Sequence, residues 1–160
     1  MIEAVQSRRK CLALWRANRD GAAMLECAIA LPIMLFALFA LLDLGLAATR
    51  YNALAEAARQ IARQAIIHGS LAPTEVGSWG PAQFVATAAD NSEIVQAVHG
   101  RLPTMSENRV NVQVKWPDHD NSPRDRVQVQ VTYQHQPLVP GFSVWGPIDL
   151  QSVATMRIAN

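Results

Sequence analysis

The stretch Arg19-Asp20-Gly21-Ala22-Ala23-Met24-Leu25-Glu26-Cys27 opens the membrane-length segment of this chain, and the sequence then stays free of charge until Asp43. As a helix, residues 27–49 would extend roughly 34 Å, enough to cross a hydrocarbon core of ~30 Å. An acid at the edge of such a segment is costly, of order 2.5 kcal/mol or more at full depth, so Glu26 calls for a reason. A glycine lies five residues upstream of it, and a basic leader precedes both. That arrangement points to a cut site and an assembly contact rather than a simple anchor.

The charge on the two sides of the segment is uneven. Residues 1–21 carry Arg8, Arg9, Lys10, Arg16 and Arg19 against Glu3 and Asp20. A basic flank stays cytoplasmic under the positive-inside rule, which puts the rest of the chain outside the cytoplasm; Arg50, Arg59 and Arg63, beyond the span, weaken the bias. The formal net charge of the whole is +1, which offers no general case for nucleic-acid binding. Of the two cysteines, Cys11 is in the leader and Cys27 in the apolar run, so no disulfide is expected beyond the span.

Three readings of the apolar run stand side by side. A signal peptide cut after the run would have a shorter core and a small-residue site near Ala47-Ala48. An uncleaved signal anchor is the plainest. A leader cut before the run keeps the run in the mature protein, and it alone gives Gly21 and Glu26 a joint role.

The helical pattern continues past Arg50. Leu54, Ala57, Ala58, Ile61, Ala62, Ala65 and Ile66 recur at spacings of three and four, the mark of an amphipathic helix. His68-Gly69-Ser70 supplies a stop, so one helix is expected from about residue 22 to 67, with Pro32 as a kink or loosening. Residues 69–81 read as a loop punctuated by Pro73, Gly77, Gly80 and Pro81. Phe84, Val85, Ala88 and Ala89, then Ile94, Val95 and Val98 after Asp90-Asn91-Ser92-Glu93, read as one interrupted helix or two short ones over 82–99.

The period then changes. Val110, Val112 and Val114 alternate with polar residues, and so do Val127, Val129 and Val131, as in strands with one buried face. A third strand is expected over 148–158, after an excursion through Pro137, Pro140, Gly141, Gly146 and Pro147. The fold class is therefore α+β: a long N-terminal transmembrane helix continuing into a small head with one or two short helices and a three-stranded antiparallel sheet. The organisation is a basic cytoplasmic leader (1–21), a transmembrane and amphipathic helix (22–67) and an extracytoplasmic head (68–160).

Catalytic chemistry finds no foothold. Asp118-His119-Asp120-Asn121 lacks the glycine and distal glutamate of a calcium loop and reads as a polar turn. His68, His99, His119 and His135 have no ligand spacing, and no nucleophile or phosphate-cradling motif is present. No enzyme activity, cofactor or metal is expected. Asp43, near the outer end of the span, reads either as an interfacial acid or as a contact to Arg50 or a neighbouring subunit.

Gly21-Ala22-Ala23-Met24-Leu25-Glu26, Pro32, Asp43-Leu44-Gly45 and Ala57-Ala58-Arg59 together resemble the TadE-like pseudopilins, minor components of tight-adherence (Tad/Flp) pilus machines. The resemblance covers residues 19–63 and implies a pilin-like fold. It implies cleavage between Gly21 and Ala22 by a prepilin peptidase, after which Glu26 is the fifth residue of the mature chain. The residues themselves make Glu26, Asp43 and Arg50 the expected assembly contacts, and the resemblance implies as partners other pilins and pseudopilins, the inner-membrane assembly platform and lipid. The location implied is the bacterial inner membrane, with the head in the periplasm. The Flp-pilin pattern has tyrosine after the glutamate; here Cys27 stands there, pointing to a pseudopilin rather than a major pilin.

Overall fold

A computed structural model describes residues 2–138 and 146–159, with side chains from Gly21 onward. The excursion through Pro140 and Gly141 and the Trp145 side chain lie outside the described residues. The chain divides into two units, residues 1–42 and 43–160.

The first unit is helix throughout its described length. Helix α1 spans Ile2–Ala65, with Pro32 inside it, so the leader continues the same helix. Every residue from Gly21 to Leu42 is exposed. These 22 residues extend roughly 33 Å, still a membrane thickness. The run exposed all round is shorter than residues 27–49, because Ala47 is already buried in the second unit.

The second unit begins with the rest of α1. Leu54, Ala58, Ile61, Ala62 and Ala65 are fully buried, the stripe expected from their spacing. They pack on a four-stranded antiparallel sheet in the order β1-β2-β3-β4. Strand β1 is Phe84–Thr87, β2 Val110–Lys115, β3 Arg126–His135 and β4 Ile148–Arg157. Val110, Val112 and Val114 face the helix from β2, and Val127, Val129, Val131 and Tyr133 from β3. Burying each valine contributes on the order of 1.5 kcal/mol. The alanines on the helix let these branched side chains come close.

The fourth strand corrects the three-stranded expectation. Phe84 and Val85 belong to a strand, paired Phe84↔Val114 through Thr87↔Asn111. Four residues are too few to show a period, and the pairing partners lie in β2. Only the second half of the expected helical region is a helix: α2, Glu93–Gln96, a single turn. Ser92 occupies its N-cap position with extended backbone, but its hydroxyl makes no cap bond. The long helix ends in tight turns, with the Ile67 amide donating to the Gln64 carbonyl and the His68 amide to that of Ala65.

Helix and sheet run alongside each other. Asp43 lies beside the C-terminal end of β3, and at the other end the Ala159 amide donates to the Ile66 carbonyl at 3.1 Å. The part of α1 in the second unit, residues 43–65, and the ten residues of β4 both cover about 34 Å, so they match in length.

A second set of contacts fixes the loops at the far end. Asn121 is buried; its Oδ1 accepts the Trp116 indole N–H at 3.0 Å, and its amide nitrogen donates to the His68 carbonyl at 3.0 Å, to Ser78 Oγ and to the Trp79 carbonyl. His68 stacks on Trp79, centroids 3.7 Å apart. In the same hairpin loop Asp118 takes three hydrogen bonds from Arg126, two from the guanidinium and one from the backbone amide. The Arg126 contacts hold the Asp118 carboxyl down at about 2.

Candidate functional site

The residues singled out in the sequence fall into two places. Gly21, Ala22 and Glu26 lie in the first unit, all exposed on α1. A Cβ added at Gly21 would meet nothing within 4 Å. Glu26 is far from either end of α1, so in the uncut chain it is no helix-start residue and the N-terminal dipole does not favour it.

Asp43 and Arg50 lie in the second unit, seven residues apart and therefore on one helix face. They do not pair directly. Between them stands His135, the fully buried last residue of β3. Arg50 Nη1 lies 2.7 Å from His135 Nδ1. A guanidinium can only donate, so Nδ1 accepts and the proton of the neutral imidazole sits on Nε2; this tautomer is inferred from the network. Nε2 faces Asp43 Oδ1 at 3.3 Å without good hydrogen-bond geometry, and the attraction there is electrostatic. The same Oδ1 accepts the Leu138 amide at 3.0 Å.

Arg50 has further work. Its Nη2 donates to the Thr104 carbonyl at 2.8 Å and its Nε to Thr104 Oγ1 at 3.3 Å, and its guanidinium lies 5.5 Å from the Tyr133 ring centroid. Thr104 has φ of 62°, a left-handed conformation that is costly for a β-branched residue. Arg50 thus ties together α1, the 102–105 turn and β3. Sequence reasoning found the two charged ends of this network and missed its centre. The available signal was His135 in phase with Val127, Val129, Val131 and Tyr133, a polar side chain on the buried face of a strand.

The arrangement is a structural relay of charge and hydrogen bonds. It locks the first two turns of the head's helix to the sheet. Among the described residues no group of three or more His, Cys, Asp and Glu is placed to hold a metal.

The exposed apolar helix is long and apolar enough to cross a membrane, which fits a single-pass membrane protein. The family model of the TadE-like proteins matches residues 21–63, so this segment is TadE-like; the match starts at Gly21 and takes in Glu26, Asp43 and Arg50. Searches of curated proteins and of solved structures find no match.

Proposed function

We propose that this chain is a minor pseudopilin of a Tad/Flp-type pilus, cut between Gly21 and Ala22 by a prepilin peptidase and acting in pilus assembly, adhesion and secretion. The observation that carries this reading is the TadE-like match, which begins at the proposed cut. Its own chemistry is that of a peptidase substrate, not a catalyst. The basic leader keeps the N-terminus in the cytoplasm, and the head lies in the periplasm, anchored in the inner membrane.

Cleavage would change the electrostatics around Glu26 in two ways. It creates an α-amino group at Ala22, and it creates a helix N-terminus one turn before the carboxylate. Both favour the ionised acid in a place where lipid opposes it. The amine of a neighbouring subunit could serve equally, and such pairing would set the register of packed helices. The exposed run 22–42 offers the surface for those helices and for the assembly platform.

An uncleaved single-pass envelope scaffold is the second reading. The continuity of α1 through Gly21 favours it, because a protease takes an extended chain and this one must first unwind. Gly21→Ala separates the two. The new methyl meets nothing within 4 Å, and alanine suits a helix better by ~1 kcal/mol, so any processing defect is not a folding defect. With the peptidase present, wild type should yield a mature chain beginning at Ala22 on N-terminal sequencing, and the variant should accumulate as precursor. An intact N-terminus in both sinks the processing claim.

A further inference from the structure

We propose that the rim of the head around Asp43 sits in the interfacial layer of the bilayer, with Leu138 and Ile148 touching lipid. The proposal rests on reading α1 as a membrane span. Three observations carry it.

The first is a length. The uncharged run between Glu26 and Asp43, residues 27–42, extends roughly 24 Å as a helix, short of the ~30 Å hydrocarbon core by about 6 Å. One of the two acids must therefore approach the apolar layer, or the bilayer must thin. The second is the state of those acids. The Asp43 carboxylate already accepts the Leu138 amide and faces His135, whereas Glu26 lies exposed on the helix. In the uncut chain Asp43 is the acid already equipped for a less polar layer.

The third is what surrounds Asp43. Leu138 is tied to it by that 3.0 Å hydrogen bond and is 56% exposed. Ile148 pairs with His135 across β3 and β4 and is 44% exposed. Leu44, next along the helix, is 68% exposed. The inward positions of β2 and β3, by contrast, are all buried. Leu138 lies one hydrogen bond from Asp43, and Ile148 one strand pairing from His135, which itself faces Asp43. Continuity with that span names lipid as their cover. Arg109 and Asp149 flank the same end of the sheet with opposite charges, so headgroup charge is not what selects the surface.

The test uses the full chain with Cys11 and Cys27 replaced by alanine, reconstituted at low density in phosphatidylcholine vesicles containing lipid spin-labelled on a shallow acyl carbon. Single cysteines replace Leu138, Ile148, Leu35 or Thr155 and carry an environment-sensitive fluorophore. All four are exposed side chains, and unchanged tryptophan emission certifies the fold. Depths of ~5–10 Å into the boundary should quench positions 138 and 148 about threefold more than position 155, at the other end of β4. Quenching at 35 but not at 138 or 148 overturns the proposal and leaves the span standing; those side chains would then face water or another subunit. No quenching at 35 sinks the span reading, and the proposal with it.

Discussion

Arg50→Met isolates the network that fastens the head to its helix. Methionine keeps the unbranched stem and removes the guanidinium. Three donated hydrogen bonds disappear, to His135 Nδ1, to the Thr104 carbonyl and to Thr104 Oγ1. The Thr104 acceptors are exposed and can turn to water, so their loss is cheap. His135 is fully buried and cannot. An unsatisfied buried acceptor costs about 1–3 kcal/mol, and a hydrogen bond from a charged donor contributes a similar amount. The expected loss is about 3 kcal/mol, a roughly hundredfold change in the folding equilibrium. Urea unfolding in detergent, followed by tryptophan emission, measures it. The double variant Arg50→Met/His135→Leu removes both partners, and its cost should fall below the sum of the single costs by about 2 kcal/mol. A loss under about 0.5 kcal/mol in Arg50→Met, or strict additivity in the double variant, would refute the view that His135 depends on Arg50.

At the other end of the head, Asn121→Ala should cost about 2–4 kcal/mol, because it strands the Trp116 indole N–H and the carbonyls of His68 and Trp79; Asn121→Asp should cost more, since it sets a charge against those carbonyls. The same unfolding assay ranks the two. Gly80→Ala should destabilise by roughly 2 kcal/mol or more, because Gly80 has φ of 82° and a Cβ there would enter the Trp116 ring; a thermal scan showing no loss would contradict the close approach. For Asp118, the folded carboxyl lies below its ordinary value, so its contribution to stability is present above pH 3.8 and is lost as pH falls toward about 2. Asp118→Asn should flatten that part of the acid-stability profile, measured by denaturant midpoints through the window. The side chain is 29% exposed, so high salt should weaken the effect.

Much of this architecture can be read from local pattern. The charge-free run before Asp43, the stripe from Leu54 to Ala65 and the alternating valines of β2 and β3 each declare their partner environment through their own spacing. Burial is a property of one face, and a face repeats every 3.6 or 2 residues. The position of Gly21 ahead of Glu26 is likewise a matter of order along the chain, and the family match falls on those same residues.

Contacts between distant residues have no such period. β1 is a strand because β2 offers it a ladder, and its four residues could not say so alone. Asn121 lies in what reads as a solvated turn, yet its amide nitrogen reaches residues 42 to 53 positions away in a buried socket. Asp43 and Arg50 look like a pair two helical turns apart, but what joins them is His135, 85 positions beyond Arg50. The sequence by itself determined the span, the helical stripe and the alternating strands, because each is decided by neighbours within a few residues. Only the tertiary structure decided what the charges on that helix hold, because an ion in a partly buried site takes its partner from whatever the fold brings within about 3 Å.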